Sequence, residues 1–191
     1  YKQPCVIEQN GKFISYETIL SRLILRHAPI MRRLSHNERL NQRKQTMDTI
    51  LVIGGTGRVG LPVVRALLHA GYKVRLLTRN PDQARARIAD PVEWYSGDLR
   101  SPDSLSTAMK GVSAVYLNLP ETGDPRAAFI PELHGVDHVL NVVPRDVLIL
   151  KLSEIDAMET PHFFDLTLKY RAEERIRQSG NPYMIFRPTW F

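Results

Sequence analysis

The sequence predicts an α/β fold in which a doubly wound parallel sheet carries helices on both faces. Short apolar runs alternate along the chain with segments of helical periodicity, as in consecutive β-α-β units. The runs are apolar nearly throughout, which is typical of strands buried on both faces of a parallel sheet. The predicted strands are residues 50–53, 73–78, 92–95, 113–119, 147–152 and 183–186.

The segments between these strands supply the predicted helices. These are residues 61–68, 80–89, 101–109 and 161–179. The last helix should stop at Gly180, since glycine is the usual residue just past a helix end. A crossover helix is also expected within residues 125–143, although Pro131 and Gly135 interrupt its pattern.

A glycine-rich segment directly follows the first predicted strand. Gly54, Gly57 and Gly60 have the spacing G-x-x-G-x-x-G, which is close to the G-x-G-x-x-G fingerprint of dinucleotide sites. Gly54 would allow a tight turn, Gly57 would let a pyrophosphate approach the backbone, and Gly60 would let the next helix pack closely. The start of that helix offers N–H groups and a positive dipole end. The segment therefore predicts a nicotinamide-dinucleotide site on a Rossmann-like domain.

The residues after the second strand indicate which dinucleotide is preferred. An acidic residue there would bind the 2′-hydroxyl of NAD, but the chain has Thr78-Arg79-Asn80 and no acid before Asp82. Arg79 can pair with a 2′-phosphate, and Arg58 in the glycine loop can approach the same group. We therefore expect NADP(H) to be preferred over NAD(H).

Two further strand ends are candidate cofactor contacts. Asp98 can accept a hydrogen bond from the adenine amino group, and Leu99 can cover the ring; the alternative is an ordinary helix-capping turn. Asn118, at the end of the fourth strand, lines the nicotinamide side or is a simple turn residue.

The excess positive charge of the chain lies in its first 46 residues. Residues 1–46 contain nine Lys or Arg and three Glu, whereas residues 47–191 contain 17 basic and 17 acidic residues. The second region, predicted as the NAD(P)-binding domain, therefore gives no support to nucleic-acid binding. Residues 1–46 are expected to be a basic extension, either disordered or helical over residues 14–40. Its role is either targeting or membrane-surface contact, or it is a translated upstream tail without a role.

Composition argues against several other classes of protein. The chain has no apolar run of about 18 residues, so no transmembrane helix is expected. Cys5 is the single cysteine, which excludes disulfide scaffolds and cysteine metal sites and fits a reducing, cytoplasmic location. His134, Asp137 and His138 lie close together in sequence, but no further ligands accompany them, so no metal site is predicted.

Two sets of motifs run through residues 47–191. The first comprises residues 50–60, Thr78-Arg79, Gly97-Asp98-Leu99 and Leu152-Ser153; the second comprises His162, Lys169, Glu173, Ser179-Gly180 and Phe186-Arg187-Pro188. Together they resemble the NmrA-like atypical short-chain dehydrogenase/reductases. The resemblance implies a Rossmann-like domain that binds NADP(H). It also implies a smaller C-terminal region that completes a substrate cleft, and we expect this region to be largely missing from the chain.

The resemblance further implies that Lys169 lies near the nicotinamide ribose and assists proton transfer, and that Ser153 is the strand-end serine of the family. Ordinary short-chain dehydrogenases use Y-x-x-x-K, but Asp165 stands where that tyrosine would be. Tyr170 follows the lysine and would point about 100° round the helix. His162 is a weaker candidate proton donor. Asp165 and Glu173 are expected to be charges on the helix face.

The expected cofactor contacts are Gly54, Thr56, Gly57, Arg58, Val59, Gly60, Arg79, Asp98, Leu99, Asn118, Ser153 and Lys169, and Lys169 is also the expected catalytic residue. One hypothesis is an NADPH-dependent oxidoreductase that acts on a quinone- or carbonyl-like small molecule without the usual tyrosine. A second is a non-catalytic NADP(H) redox sensor that acts through a protein partner. A third is an incomplete product without a stable fold.

Overall fold

The computed structural model describes residues 6–9, 12–15, 48–120, 124 and 126–188. Six strands form one parallel sheet, and they are β3 Thr49–Ile53, β4 Lys73–Thr78, β5 Glu93–Ser96, β6 Ala114–Leu117, β7 Leu148–Leu152 and β8 Tyr183–Phe186. Their order in the sheet is β5-β4-β3-β6-β7-β8. This topology confirms the predicted doubly wound, Rossmann-like α/β fold.

The helices connect the strands of this sheet. They are α1 Gly60–His69, α2 Pro81–Arg85, α3 Pro102–Met109, α4 Val136–Val142 and α5 Phe164–Gln178, and a π-helical turn at Pro131–Gly135 leads directly into α4. The crossover therefore does contain a helix, as predicted. It can begin at Pro131 because a proline in the first turn of a helix lacks only an N–H that would have no helical partner there.

Two apolar layers, one on each face of the sheet, form the core. Alternate residues of each strand point to opposite faces, so in β3 Leu51 joins one layer and Val52 the other. The layer around Leu51 includes residues of α3, α4 and α5, and the layer around Val52 includes residues of α1. The two-sided burial explains why the strands are apolar nearly throughout.

The direction of the strand order changes at β3. The chain leaves β3 towards β4 on one side, and β6 later pairs with the other side of β3. Ligands of open α/β sheets bind in the crevice outside the carboxyl ends of the strands at such a point. The glycine-rich segment lies at the end of β3, so the topology places it at this crevice.

Two details of the predicted elements were wrong. The helix expected over residues 80–89 is shorter, since α2 covers only Pro81–Arg85. Near the start of the chain, β1 Val6–Gln9 and β2 Lys12–Ser15 form an antiparallel hairpin, although this region was expected to be disordered or helical. Residues 14 and 15 therefore lie in a strand, and residues 16–46 of the expected extension fall outside the described residues.

Candidate cofactor site

A cleft of about 420 Å³ opens at the carboxyl ends of β3, β4 and β6. It is lined by Ile53, Gly54, Thr56, Gly57, Leu77, Thr78, Arg79, Gly97, Asp98, Leu99, Arg100, Asn118, Leu119, Pro120, Phe129 and Pro131. Seven of the predicted cofactor contacts are in this lining, from the glycine loop and from the ends of β4, β5 and β6. Arg58, Val59, Gly60, Ser153 and Lys169 are not in it.

The glycines of the loop are required for two different structural reasons. Gly54 has a φ of +84°, and a Cβ on it would lie 1.9 Å from the Asn118 carbonyl oxygen. A Cβ on Gly60 would lie 2.1 Å from the Gly54 oxygen. Both positions therefore need glycine for the fold itself. A Cβ on Gly57 would meet only the Gly54 oxygen, at 3.4 Å, so Gly57 leaves open space on the cleft side, as a site for a pyrophosphate requires.

Gly55 is a third glycine that the fold itself needs, and the sequence analysis did not single it out. A Cβ at this position would lie 2.4 Å from Leu76 Cδ2 and 2.8 Å from Val52 Cγ1. The loop therefore presses directly on the side chains of β3 and β4. The Gly54-Gly55 doublet was visible in the sequence, but which of its members packs against the sheet was not.

The start of α1 carries no capping group among the described side chains. Its N-cap residue is Val59, and its first turn has no acidic residue. The N–H groups and the dipole of this helix start thus favour an anion. Together with the open side of Gly57, this arrangement fits the pyrophosphate of a dinucleotide.

A basic hollow of about 280 Å³ lies beside the cleft, and we call it the side hollow. It is lined by Thr56, Leu61, Thr78, Arg79, Asn80, Gln83, Ala84, Arg87 and Ile88, and it shares Thr56, Thr78 and Arg79 with the cleft. Arg79 and Arg87 are exposed, and neither guanidinium has an acidic partner within the described part of the chain.

Arg87 was missed by the sequence analysis. It lies just beyond α2, and nothing in the sequence indicated that this short helix would bring it to the same hollow as Arg79. Arg58, which was predicted to approach the same phosphate, is exposed and lines neither the cleft nor the side hollow.

The side of the cleft formed by residues 98–100 and Phe129 is stabilised by local hydrogen bonds and ring contacts. Asp98 Oδ1 accepts a hydrogen bond from the Arg100 N–H at 2.9 Å, while Ser101 caps α3. The Arg100 guanidinium lies 5.1 Å from the centre of the Phe129 ring. His138 Nδ1 lies 2.7 Å from the Leu99 carbonyl oxygen. Asp98 therefore makes a turn contact and lines the cleft at the same time.

A family model described as NAD(P)H-binding matches residues 54–191. The chain belongs to this NAD(P)H-binding family. Within it, the chain is an NmrA-like atypical short-chain dehydrogenase/reductase with a Rossmann domain, as the resemblance implied.

Three similar proteins illustrate the range of this family. Photosystem II assembly factor Ycf39 of Cyanophora paradoxa is 31% identical over 147 residues, which cover 75% of this chain and 46% of the relative. NAD(P)H azoreductase of Xenophilus azovorans is 40% identical over 94 residues, or 47% of this chain and 33% of the relative. The solved triphenylmethane reductase of Citrobacter sp. is 26% identical with a TM-score of 0.60, over 73% of this chain and 48% of that chain. The chain spans about half the length of its relatives or less.

In this NAD(P)H-binding domain, Lys169 lies in a buried charge cluster, which we define as Glu132, Lys151 and Lys169. Lys169 Nζ is 2.5 Å from Glu132 Oε1, and Lys151 Nζ is 3.0 Å from Glu132 Oε2. Lys151 also donates to the Leu152 carbonyl. The exposed fractions are 1% for Glu132, 0% for Lys151 and 7% for Lys169. The predicted catalytic lysine is therefore held by a carboxylate inside the domain.

Lys151 and Glu132 are members of this cluster that the sequence analysis overlooked. Lys151 is the one charged residue in the otherwise apolar strand β7, and such an interruption of a buried strand was the available indication. Burial lowers the pKa of the Lys151 ammonium; the nearby Glu132 carboxylate opposes this effect, and the neighbouring Lys169 ammonium adds to it.

Glu173 was expected to be a charge on the helix face, and this was wrong. It is fully buried, and its carboxylate accepts hydrogen bonds from Arg187 Nε at 2.9 Å and from Arg177 Nη2 at 2.7 Å. Burial raises the pKa of the Glu173 carboxyl, but its contacts with Arg187, Ser153 and Arg177 outweigh burial and hold that pKa below its usual range. Helical periodicity could not predict the burial of Glu173, because one of its two arginine partners, Arg187, comes from the segment after β8.

The remaining residues discussed in the sequence analysis lie at separate places in the domain. Ser153 is buried at the end of β7, His162 is exposed, and Asp165 lies one turn before Lys169 with its Oδ1 buried and without a hydrogen-bond partner in the described structure.

In the crossover between β6 and β7, two of the side chains considered as metal ligands make other contacts. His134 Nδ1 accepts a hydrogen bond from the Ile130 N–H at 2.9 Å, and Asp137 pairs with Arg175 at 3.0 Å. Across the described ranges, no three His, Cys, Asp or Glu residues are grouped to hold a metal ion. Nor is any helix in these ranges long and apolar enough to cross a membrane.

Proposed function

We propose that the protein binds NADP(H) in the cleft and side hollow and reduces a quinone- or carbonyl-like small molecule. The observation that carries this proposal is the pair of arginines, Arg79 and Arg87, around a hollow that opens into the cleft. A guanidinium can bind a phosphate through two parallel hydrogen bonds. Because no described carboxylate pairs with either arginine, both are available to the 2′-phosphate that distinguishes NADP(H) from NAD(H).

The other cleft residues have roles that follow from their chemistry. The backbone around Thr56 and Gly57, with the start of α1, would hold the pyrophosphate. Asp98 and Leu99 would hold the adenine ring. Asn118 lies at the end of β6, away from the side hollow, and would face the nicotinamide side.

NADPH, when bound, supplies a hydride. Reduction of a quinone then also consumes one proton, since NADPH, a proton and the quinone give NADP⁺ and the hydroquinone. The domain would orient the dinucleotide, and Lys169 or water would donate the proton to a substrate oxygen. Lys169 is the nearest counterpart of the lysine of Y-x-x-x-K, and Asp165 in place of the tyrosine leaves it without the usual phenol.

The similar proteins support a reductase. NAD(P)H azoreductase and triphenylmethane reductase are named as reductases of azo compounds and triphenylmethane dyes, and quinones, like dyes of these classes, are conjugated molecules that can accept electrons.

The second candidate is a non-catalytic NADP(H) sensor that acts through a protein partner. Two observations favour it: Lys169 is bound to Glu132 rather than facing the cleft, and Asp165 replaces the tyrosine. The similar Ycf39 is named as an assembly factor. A sensor needs different affinities for the oxidised and reduced cofactor, since a ligand shifts a conformational equilibrium only by differential binding.

The test is a calorimetric titration of the protein with NADPH, NADP⁺ and NADH in parallel. NADPH and NADH differ only at the 2′-phosphate, so tighter binding of NADPH supports the role of the side hollow, and equal affinities contradict it. Absence of binding by all three would overturn the proposed function. NADPH oxidation with menadione or 1,4-benzoquinone then supports the reductase, whereas a large NADPH/NADP⁺ difference without turnover supports the sensor.

The cytoplasmic location is a proposal that rests on the single cysteine. Fractionation of cells that produce the protein would test it, and recovery in an oxidising compartment would contradict it.

A further inference from the structure

Two side chains from distant parts of the chain meet in the lining of the cofactor cleft. Arg100 belongs to the turn after β5 and Phe129 precedes the π-helical turn, and both line the cleft. The Arg100 guanidinium carbon lies 5.1 Å from the centre of the Phe129 ring, and we call this contact the Arg100–Phe129 pair. Arg100 is exposed and Phe129 is partly exposed. Within the described part of the chain, Arg100 forms no ion pair.

The crossover segment that carries Phe129 also holds the turn that carries Arg100. The Phe129 ring centre lies 5.7 Å from the ring centre of His134 and 5.8 Å from that of His138. His138 Nδ1 lies 2.7 Å from the Leu99 carbonyl oxygen, so this nitrogen donates a hydrogen bond to it. Leu99 also packs on Gly135, because its two Cδ atoms lie 3.4 Å from the place that a Cβ on Gly135 would take. These contacts hold Phe129 and the turn against each other.

The fold alone gives little reason for the Arg100–Phe129 pair. An exposed cation–π contact contributes only modestly to stability, and neither side chain belongs to the two apolar layers of the core. The guanidinium and the phenyl ring are both flat, and flat groups of these two kinds stack on nucleobases. The pair therefore offers a flat surface that suits an aromatic ring bound in the cleft.

The neighbours of the pair indicate which ring this is. Asp98 and Leu99 stand in the same turn as Arg100, and in the proposed function they hold adenine. Asp98 Oδ1 accepts a hydrogen bond from the Arg100 N–H at 2.9 Å, which leaves Oδ2 as the oxygen for the adenine amino group. Arg79 lines the same cleft, and the ribose that bears its proposed partner, the 2′-phosphate, is bonded directly to adenine.

We propose that the adenine ring of the dinucleotide packs against the Arg100–Phe129 pair, which makes these two residues a base-binding surface in addition to Asp98 and Leu99. The inference rests on the proposed function, because the base belongs to the dinucleotide proposed to occupy the cleft. Stacking needs a π face and no particular pattern of donors and acceptors. The pair thus contributes affinity for the ring, whereas Asp98 recognises its amino group.

The first test is calorimetry of wild type and Phe129→Ala with NADPH, NADH and 2′,5′-ADP. All three ligands carry adenine, so the affinity for each should fall by a similar factor of about 5- to 100-fold. This pattern differs from that expected for Arg79→Ala, which should weaken NADPH but not NADH. Unchanged affinities, or a loss confined to the two ligands with a 2′-phosphate, would overturn the inference.

Two substitutions at the same position separate the ring from its bulk. Phe129→Tyr keeps the ring and should retain the wild-type affinities, whereas Phe129→Leu keeps an apolar side chain without a ring and should lose affinity as Phe129→Ala does. Phe163→Ala is the matched control, because it removes a phenyl ring that is 64% exposed and lies outside the cleft lining. Wild-type affinities in Phe129→Leu would show that only apolar bulk is needed and would overturn the inference.

The arginine of the pair provides a test that remains if Phe129→Ala does not fold. Arg100→Ala changes an exposed side chain, and it should weaken the three adenine ligands by about 3- to 10-fold. Arg65→Ala, at a half-exposed arginine outside the cleft lining, should leave them unchanged. Wild-type affinities in Arg100→Ala would contradict the proposed base-binding surface.

NMR of the whole protein saturated with 2′,5′-ADP tests the contact directly. The adenine H2 or H8 proton should show an NOE to the Phe129 ring protons, which are assigned by their disappearance in Phe129→Leu; absence of this NOE would overturn the inference. Since 2′,5′-ADP has no nicotinamide, the result does not depend on turnover. Wild-type protein that binds none of the three ligands would overturn the proposed function and this inference with it, whereas normal binding without the NOE would overturn the inference alone.

Discussion

The side hollow and the buried charge cluster both concentrate basic side chains, but they differ in what faces those charges. In the side hollow, Arg79 and Arg87 are exposed and have no described acidic partner. In the cluster, Lys151 and Lys169 share one carboxylate and are almost completely buried. A binding site keeps its charges available for a ligand, whereas the core of the domain must compensate each charge internally. Basic side chains therefore have a different significance in the two regions.

The glycines of the loop differ in a similar way, since some are required by the fold and another leaves space for a ligand. Gly54 and Gly60 lack a side chain because the protein itself occupies that space, and Gly57 lacks one although the space is open. The predictions below separate these two causes, from the largest expected effect to the smallest.

Gly54→Val should cause the largest loss of stability. The positive φ and the overlap with the Asn118 carbonyl each cost about 1–3 kcal/mol, so the free energy of unfolding should fall by about 3 kcal/mol or more. Urea denaturation measures this change. Gly71→Ala is the matched control, because Gly71 also has a positive φ but nothing lies within 4 Å of its Cβ position; an equal loss in both variants would show that the overlap is unimportant.

Gly57→Val should leave the fold intact and abolish dinucleotide binding. A side chain here would enter the cleft, and we expect the affinity for both NADPH and NADH to fall by about 100-fold or more, equivalent to about 3 kcal/mol. Calorimetry measures the affinity and urea denaturation the stability. Unchanged affinity would show that the pyrophosphate does not approach Gly57.

Glu173→Gln should reduce stability by about 2–3 kcal/mol near neutral pH, because it removes the shared partner of Arg177 and Arg187. Since the pKa of Glu173 is lowered in the folded protein, the folded state binds fewer protons than the unfolded state at acidic pH. The stability that Glu173 contributes is thus fully present above its unfolded pKa, ordinarily 4.5, and is lost as the pH falls through the folded value.

Denaturation of wild type and Glu173→Gln at several acidic pH values checks this linkage. The difference between the two proteins should shrink as the pH decreases below about 4.5. A difference that stays constant with pH would contradict the role of the Glu173 charge.

Arg79→Ala should weaken NADPH binding by about 10- to 100-fold and leave NADH binding nearly unchanged, since a hydrogen bond to a charged group contributes about 1.5–3 kcal/mol. Arg87→Ala should act in the same direction. Arg65→Ala is the control, because Arg65 is a half-exposed arginine of α1 that pairs with Asp90 outside the hollow. Equal losses of NADPH and NADH affinity in Arg79→Ala would reject the 2′-phosphate role.

Glu159→Gln should have the smallest effect. Its pair with Arg171 is about half exposed on both sides, and exposed pairs contribute little because water and salt screen them. We expect no measurable change in the denaturation midpoint; a clear destabilisation would mean that the pair is part of a larger network.

Sequence patterns predicted the elements of the domain well where the pattern is local. The six strands of the parallel sheet were located within one or two residues, since strands buried on both faces are apolar throughout. The short helix α2 was overestimated, because residues 86–89 continue a polar and apolar pattern after the helix has ended. The β1–β2 hairpin was missed because arginines and apolar residues downstream suggested helical spacing.

The sequence by itself determined the cofactor class, the fold class and the glycine loop, because these depend on residues that are neighbours along the chain. Only the tertiary structure decided which glycines serve the fold, that Arg87 joins Arg79, and that Lys169 is held by Glu132. These depend on contacts between segments far apart in sequence: Lys169 and Glu132 are separated by 37 positions. The packing of helices on a parallel sheet, and not local periodicity, brings such charges together and determines whether each one is paired in the core or left free for a ligand.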